Sequence, residues 1–336
     1  MTSNKAAWQT APDSKSFSIA PGPTPNPSEN EVVIKVAYAA VNPVDWKLQE
    51  TPFDLPYPYI FGTDVAGTIV QLGNNVTRFH LGQRVLAHCD GLLTQKKTNN
   101  AFQEYATTRE ILVSPVPDNI PLSNAAVLPL AYSTASAALF HYLGLPYPAI
   151  QPISLGKRIL IWGGSSAVGS SAIQLARAAG LEVLVTAGLR NFEYVESIGG
   201  RAFDYADSGV VGRLLGVLEE GDLVFDAIST PETQSACGEI VGRIGGVLLT
   251  TSPVPSVGLP DGVKGVFVNG LAPGLINLDV GDAVWRKYLP EALATGLFVA
   301  KPDPFVLKGL ESVQEGVDLL KKGVSARKIV IEVDGE

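Results

Sequence analysis

The sequence predicts a two-domain α/β protein, with a β-rich domain followed by a doubly wound parallel-sheet domain. Short β-prone runs broken by Gly and Pro occupy residues 1–125, whereas strand and helix patterns alternate over residues 126–274. The late apolar run 328–333 reads as a strand that rejoins the first domain. We therefore expect a β-rich domain of residues 1–125, completed by about 275–336, and a parallel-sheet domain of residues 126–274.

The first domain is predicted to be a compact barrel or sandwich of short strands. Loosely alternating or glycine-bracketed apolar runs predict the strands, and proline-rich or polar stretches predict the loops. The predicted strands are residues 31–42, 62–73, 81–87 and 101–108, and the predicted loops are residues 21–30 and 94–100. An alanine-rich helical pattern begins near residues 123–130 and marks the boundary with the second domain.

Residues 158–186 predict the first βαβ unit of the second domain. A β-prone run at 158–162 is followed by a Gly/Ser turn from Gly163 to Gly169. Apolar residues then recur at three- and four-residue spacing up to Ala179, Gly180 ends the helix, and 183–186 is the next strand. Later strands are expected at 222–228 and 246–251. This order of elements is typical of a dinucleotide-binding fold.

The Gly/Ser turn predicts a pyrophosphate site. Glycines allow the backbone to approach a pyrophosphate, and the N–H groups at the helix start point towards it. Serine stands at the middle glycine position, where a hydroxyl can donate to a phosphate oxygen. A turn that merely joins strand to helix is the alternative. The predicted cofactor-binding residues of this turn are Gly163, Gly164, Ser165, Ser166, Ala167 and Val168.

The end of the second strand of this unit predicts NADPH as the cofactor. NAD sites usually have Asp or Glu there, which binds the ribose hydroxyls. This chain has Gly188, Leu189, Arg190 and Asn191 instead, and the planar guanidinium of Arg190 can pair with a 2′-phosphate. An ordinary solvated arginine is the alternative.

Composition limits the possible function classes. The 336-residue chain is 46% hydrophobic and 17% charged, which is enough for large cores, and its formal charge is −8 without a basic tract. Nucleic acid and anionic membranes are therefore not the expected partners. The polar start lacks a signal-peptide core, no run reaches a membrane span, and two cysteines make no disulfide framework. We expect a cytoplasmic protein.

Seven segments of the chain carry a family resemblance. They are AAVNPVDWKLQ (39–49), GTDVAGTIVQLGNNVTRFHLGQRVLA (62–87), AFQEYA (101–106), AAVLPLAYSTASAALF (125–140), GGSSAVG (163–169), NFEYVESIGGRAFDY (191–205) and GVDLLKKGVSARKIVIEV (316–333). With these segments the chain resembles the medium-chain dehydrogenase/reductase superfamily, specifically its zinc-free quinone-reductase-like and enoyl-reductase-like branch. The resemblance implies a GroES-like first domain and a Rossmann second domain. Within the branch, the pattern is similar to the stand-alone enoyl reductases of fungal polyketide synthases.

The resemblance also predicts that no metal is bound. Zinc-dependent relatives have a Cys where this chain has Asn42, and Gly-His-Glu where it has Gly62, Thr63 and Asp64. Catalytic zinc needs three protein ligands and structural zinc needs four. The adjacent pair His88 and Cys89 reads as part of the barrel wall. Without zinc, reduction of a conjugated C=C bond is the expected chemistry, because a hydrogen-bond donor suffices to stabilise an enolate.

The remaining candidate site residues are implied by the resemblance. Lys47 and Asn42 are the candidate catalytic residues, with a solvated lysine and a turn residue before Pro43 as the alternatives; Asp64 could simply hold buried backbone. The further cofactor-binding candidates are Val44, Asp45, Trp46, Lys47, Thr134, Tyr205, Leu249, Thr250, Val324 and Ser325. The substrate candidates are Tyr132, Val268, Asn269, Gly270, Leu271 and Ala272. Core packing is the alternative for Tyr132.

The sequence is compatible with three functions. The leading one is NADPH-dependent reduction of an activated C=C bond, by a trans-acting enoyl reductase in fungal secondary metabolism whose partner is a polyketide synthase acyl carrier domain. A soluble quinone or 2-alkenal oxidoreductase is the second, and a non-catalytic NADPH-binding structural or sensor protein is the third. Gly and Pro in residues 265–275 interrupt edge pairing, so a monomer is favoured over a homodimer.

Overall fold

The fold was taken from a computed structural model, which describes residues 4–12, 14–51, 54–253 and 259–335. The chain forms two compact units. Unit 1 combines Met1–Leu130 with Trp285–Glu336, and unit 2 is Ala131–Val284. The first unit boundary lies five residues after the one expected from the sequence (130 against 125), and the second lies ten residues after it (284 against 274). Within the described ranges, no helix is both long and apolar enough to cross a membrane.

Unit 1 contains two sheets. Its strands are β1 (Lys5–Gln9), β2 (Ser18–Pro21), β3 (Glu31–Ala40), β4 (Tyr59–Ile60), β5 (Asp64–Leu72), β6 (Arg84–His88), β7 (Tyr105–Arg109), β8 (Val113–Pro115), β15 (Asp303–Lys308) and β16 (Arg327–Glu332). The large sheet has the order β15-β16-β3-β5-β6-β8, with β7 also paired to β3, and the small sheet has the order β2-β1-β4. The strand expected at 328–333 therefore does rejoin the first domain.

Strand β3 is the centre of the large sheet. Its sequence EVVIKVAYAA is almost wholly buried, and it pairs antiparallel with β5, β7 and β16. Two register shifts against β5, at Val33/Ile34 and Val36/Tyr38, bend the pair. Apolar side chains such as Ile34, Val65 and Ile331 pack into one core. This core fixes the ends of β3, β5 and β16, from which the polar residues described below project.

The helices of unit 1 are short. They are α1 (Pro43–Glu50), α2 (Gly91–Thr94), α3 (Leu122–Ala125), α11 (Leu289–Thr295) and α12 (Val313–Lys322), and α4 (Pro129–Ser136) begins here and runs into unit 2. Helix α1 starts at a proline, which is well suited to the first helical position because its missing N–H would have no intrahelical partner. Gln49 on α1 donates to Gln314 on α12 over 3.0 Å. These two helices therefore pack together within the unit.

Unit 2 is a six-stranded parallel sheet in the doubly wound order. Its strands are β9 (Arg158–Trp162), β10 (Glu182–Ala187), β11 (Arg201–Asp204), β12 (Leu223–Asp226), β13 (Val247–Thr250) and β14 (Lys264–Phe267). The order β11-β10-β9-β12-β13-β14 corresponds to 3-2-1-4-5-6 of a dinucleotide-binding sheet. The strand order reverses between β9 and β12, and ligands of such sheets bind at the carboxyl ends at this switch point.

The helices of unit 2 connect these strands. They are α5 (Ala167–Ala178), α6 (Phe192–Ser197), α7 (Val210–Leu215), α8 (Pro231–Ile244), α9 (Ala272–Leu275) and α10 (Leu278–Gly281). Two π-helical segments, Ala137–Tyr142 and Asp282–Tyr288, were not expected from the sequence. The observed βαβ unit β9-α5-β10 agrees with the predicted one, and its first turn lies at the switch point.

Candidate cofactor and active-site residues

The turn between β9 and α5 depends on glycine at three positions. Gly163 has φ +86°, and a Cβ there would lie 2.3 Å from Ile228. A Cβ at Gly164 would lie 2.8 Å from Val185, and one at Gly169 would lie 2.2 Å from the carbonyl oxygen of Gly163. Any side chain at Gly169 would thus separate helix α5 from the strand that precedes it. These glycines allow the tight turn and close helix packing that a dinucleotide fingerprint requires.

The same turn leaves hydrogen-bond donors available. Ser166 is the N-cap of α5, and its Oγ accepts the Gly169 N–H over 3.0 Å, so its own O–H remains to donate. The N–H groups of Ala167 and Val168 have no acceptor among the described residues. Residues 165–168 are half-exposed although the flanking residues are buried. Donors at an open helix N-terminus next to small residues form an anion cradle, which fits a pyrophosphate.

The tip of β10 lies beside this turn. Asn191 Nδ2 donates to Ser165 Oγ over 3.3 Å, which ties the segment after β10 to the turn. Arg190 is exposed, and its side chain has no hydrogen bond or ion pair with the described residues. Tyr205 is 56% exposed, with its ring edge 3.6 Å from the position of a Cβ at Gly188. The structure thus brings most of the predicted nucleotide-binding residues to one edge of the sheet.

The segment 268–272 follows β14 and lies against Thr134. A Cβ at Gly270 would lie 2.6 Å from Thr134 Oγ1, so the glycine allows close contact. Asn269 is exposed, whereas Gly270 and Leu271 are half-exposed, and Val268 and Ala272 are buried. Only Asn269, Gly270 and Leu271 therefore present surface to a ligand. The substrate role of this segment stays a prediction.

Three other candidates of unit 2 have structural contacts. The Tyr132 ring is fully buried, and its hydroxyl donates to the carbonyl oxygen of Val284 over 2.9 Å. Thr250 Oγ1 donates to the carbonyl oxygen of Ser252 over 2.8 Å, and Leu249 is buried. We therefore withdraw Tyr132 as a substrate contact, because a buried ring with a satisfied hydroxyl packs the core. The cofactor role of Leu249 and Thr250 stays a prediction.

In unit 1, helix α1 carries the candidate Lys47. The side chain is half-buried, with Nζ 5.7 Å from the ring centre of Trp46. Burial lowers the pKa of the Lys47 ammonium. Val44 and Trp46 are half-buried and pack against the core of the unit. Lys47 is thus a partly desolvated cation at a fixed place on a helix, which is the arrangement expected of a functional lysine.

Asp45, which the resemblance implied as a cofactor contact, organises backbone instead. Its two carboxylate oxygens accept the N–H of Asn42 over 2.7 Å and the N–H of Gly62 over 3.2 Å. The side chain is buried, and this burial raises its pKa to about 7, with a smaller contribution from Asp64. The carboxylate joins the start of α1 to the chain before β5. We therefore withdraw Asp45 as a cofactor contact.

Asn42 is likewise committed within unit 1. It is 1% exposed, and its Nδ2 donates to Thr63 Oγ1 over 3.1 Å. Its Oδ1 accepts a hydrogen bond from Lys328 Nζ. An amide with these internal partners has no donor directed at a substrate. The catalytic role that the resemblance implied for Asn42 is therefore replaced by a structural one.

Lys328 is a residue that the sequence reasoning missed. It lies on β16, is 4% exposed, and its Nζ is 3.3 Å from Asp64 Oδ2. Asp64 Oδ1 accepts the N–H of Leu130 over 2.8 Å and the hydroxyl of Thr63 over 3.1 Å. Asp64 thus does hold buried backbone, as considered from the sequence. A lysine inside the buried run RKIVIE was the available signal, because an unpaired lysine is almost never fully buried.

His88 lies near this ion pair. Its side chain is buried, and desolvation lowers its pKa to about 4. The imidazole is therefore neutral over most of the physiological pH range. In the described ranges, no group of three or more His, Cys, Asp or Glu side chains could hold a metal ion. Independence from zinc stays a prediction.

Val324 and Ser325 lie between α12 and β16. Both are exposed, and Ala326, which follows them, has φ +49°. An exposed turn of this kind can present backbone groups to a ligand. Their cofactor role stays a prediction.

Comparison with known proteins identifies relatives along the whole chain. Residues 28–118 match the alcohol dehydrogenase GroES-like domain. The chain is 60% identical over 333 residues to the trans-enoyl reductase himH of Aspergillus japonicus, covering 98% of this chain and 97% of that protein. It is 30% identical to a trans-enoyl reductase of Gibberella fujikuroi, covering 92% and 93%.

A solved structure has the same fold. An alcohol dehydrogenase superfamily protein from Novosphingobium aromaticivorans matches with a TM-score of 0.81 at 23% identity, covering 99% of this chain and 100% of that one. The similarity therefore extends over the sheets of both units.

Proposed function

Because the chain belongs to the medium-chain dehydrogenase/reductase superfamily, in the family of the fungal trans-enoyl reductases, we propose that it is an NADPH-dependent enoyl reductase. Its proposed substrate is an enoyl thioester on the acyl carrier domain of a polyketide synthase. The observation that carries the proposal is 60% identity to himH over 98% of the chain.

The anion cradle of unit 2 supports a nicotinamide dinucleotide as the cofactor, which is the cofactor class of this family. The N–H groups of Ala167 and Val168 and the hydroxyl of Ser166 would hold the pyrophosphate. The exposed guanidinium of Arg190, which has no partner in the described ranges, would pair with the 2′-phosphate that distinguishes NADPH from NADH. Tyr205 would pack beside that phosphate. We thus assign the preference for NADPH over NADH to Arg190.

When bound, NADPH supplies a hydride to the β-carbon of the activated double bond. The protein must then stabilise negative charge on the thioester carbonyl oxygen. We assign this task to Lys47, because its half-buried ammonium is the cationic donor on α1 and desolvation strengthens its electrostatic effect. The same ammonium would bond the nicotinamide ribose hydroxyls. Asn42 takes no part, because its amide is bound to Thr63 and Lys328.

The proposal is tested by NADPH oxidation with four substrates at matched concentrations. These are an enoyl group on an acyl carrier domain, the same group on a small free thiol, a quinone and a 2-alkenal. We expect the highest kcat/KM with the carrier-bound thioester. Fastest turnover of the quinone or the alkenal would instead identify a general oxidoreductase. Tight NADPH binding without turnover of any substrate would indicate a non-catalytic protein.

A further inference from the structure

We infer that Lys328 is a positioning residue for Lys47: its buried ammonium, held at Asp64, binds Asn42 and thereby fixes the start of the helix that carries Lys47. This inference rests on the function proposed for Lys47. The contacts join three separate parts of unit 1, namely β16, the start of β5 and the residue before α1. Lys328 itself is 4% exposed, so it acts through its neighbours rather than on a ligand.

The position of this ammonium gives it a specific role. Asn42 and Thr63 occupy the places where the zinc-dependent relatives have Cys and His, and Asp64 follows directly. In this chain the Lys328 ammonium contacts Asn42 and Asp64. A cation bound to both residues links the same two backbone segments that a metal would link. Lys328 therefore supplies from within the chain the cross-link between β5 and the residue before α1.

Helix α1 needs such an anchor because it is short. It has eight residues, and isolated helices of that length are unstable in water. At its N-terminal end, Asn42 is held by Lys328 through the side chain and by Asp45 through the backbone N–H. At its C-terminal end, Gln49 bonds Gln9 and Gln314 over 3.0 Å each. Loss of the Lys328 contact would leave the N-terminal end of α1 held only by the backbone bond to Asp45, so the direction of Lys47 would depend more on the other end.

The primary test is Asn42→Ala, which removes the amide that Lys328 binds but leaves the buried Lys328–Asp64 ion pair in place. A second variant, Lys328→Met with Asp64→Asn, removes both charges so that no buried charge remains unpaired. Lys321→Met is the matched control, because Lys321 binds Glu50 at the other end of α1 on the surface. Surface pairs of this kind contribute little to stability.

The first readout is amide hydrogen exchange of residues 44–50, which does not require activity. Both anchor variants should exchange roughly tenfold faster there than the unaltered protein, because exchange reports local opening. The control should match the unaltered protein. Unchanged exchange of 44–50 in both anchor variants would refute the inference, whatever the substrate of the enzyme is.

The second readout is single-turnover reduction of the enoyl thioester at saturating NADPH. The anchor variants should react on the order of tenfold more slowly, which corresponds to a small loss of alignment. NADPH affinity should fall less than the rate, because only the proposed ribose contact of Lys47 would be disturbed while the anion cradle in unit 2 stays intact. In a Lys47→Ala background the anchor substitutions should have no further effect on the rate.

Independent, additive effects of the anchor and Lys47 substitutions would overturn the inference, because they would mean that Lys328 does not act through Lys47. Failure of the proposed function is distinguishable from this result. In that case the unaltered protein itself would not turn over the thioester, and the exchange measurement alone would decide the role of Lys328.

Discussion

The buried carboxyl of Asp45 should make the stability of this protein fall as the pH rises towards neutrality. Its pKa is raised from 3.8 to about 7 in the folded protein, chiefly by burial. A carboxyl with a raised folded pKa binds its proton more tightly when folded. The contribution of Asp45 to the free energy of unfolding is therefore fully present below the pKa of the unfolded state and is lost as the pH rises through about 7. Asp45→Asn removes this titration.

The size of the effect follows from the two pKa values. Between pH 5 and pH 8, the free energy of unfolding of the unaltered protein should fall by on the order of 2 kcal/mol more than that of Asp45→Asn. The lost hydrogen bond from Asn42 or Gly62 gives the variant a constant offset, so the slope is the informative quantity. His88, whose folded pKa of about 4 lies below its usual value, destabilises the fold as the pH falls from about 6.5 towards 4.

Urea unfolding at several pH values measures both free energies. The His88 contribution is common to the two proteins and largely cancels in their difference. Asp118→Asn is the matched control, because the Asp118 carboxylate is fully exposed in the same unit. A difference between the unaltered protein and Asp45→Asn that is flat from pH 5 to pH 8 would refute the reasoning. A difference in the free energy of unfolding that increases with pH, instead of decreasing, would mean that the effect of Asp45 has the opposite sign to the one expected.

Four further predictions concern the site. Arg190→Ala should weaken NADPH binding roughly 10- to 150-fold, the equivalent of one charge-assisted pair, and leave NADH binding unchanged; equal affinities of the unaltered protein for both cofactors would contradict this. Lys47→Ala should slow single-turnover reduction by about a hundredfold, equivalent to ~3 kcal/mol, with Lys47→Arg only a partial rescue; a rate within about threefold of the unaltered enzyme would remove Lys47 from the mechanism. Gly169→Ala should abolish NADPH binding measured by fluorescence, because its Cβ would lie 2.2 Å from the Gly163 carbonyl oxygen; binding at unaltered affinity would show that the turn has room to adapt. Activity should survive chelation, and elemental analysis should find no stoichiometric zinc; one tightly held zinc per chain with chelator-sensitive activity would contradict this.

Local features of the chain were the ones that could be predicted from the sequence. The strand, Gly/Ser turn and helix around Gly163 and Gly169 are set by residues next to one another, so spacing alone reveals them. The observed β9-α5-β10 unit follows that pattern. The exposed Arg190 lies just after the end of β10, as the sequence spacing predicted. The predicted return of the last strand to the first domain is confirmed by the pairing of β16 with β3.

The polar interior of unit 1 could not be predicted in this way. Asn42 and Lys328 are 286 positions apart, so no local periodicity links them. Asn42 before a proline is equally compatible with a turn, a helix cap or a catalytic donor, and only burial distinguishes these roles. Tyr132 poses the same problem, because a tyrosine in an apolar helix can face a ligand or the core. Its fully buried ring, and the hydrogen bond from its hydroxyl to the carbonyl oxygen of Val284, indicate that it faces the core.

The return of β16 to the middle of the large sheet has a consequence for synthesis on the ribosome. Residues 327–332 lie between β15 and β3, so the sheet of unit 1 lacks an interior strand until residue 332 has been translated. Unit 2, which is continuous from 131 to 284, can fold as soon as it leaves the exit tunnel. Until β16 has been translated, the residues of β3 that pair with it, Tyr38, Ala39 and Ala40, have an unpaired edge, and unpaired strand edges are templates for aggregation. We therefore expect unit 2 to become native before unit 1 during synthesis.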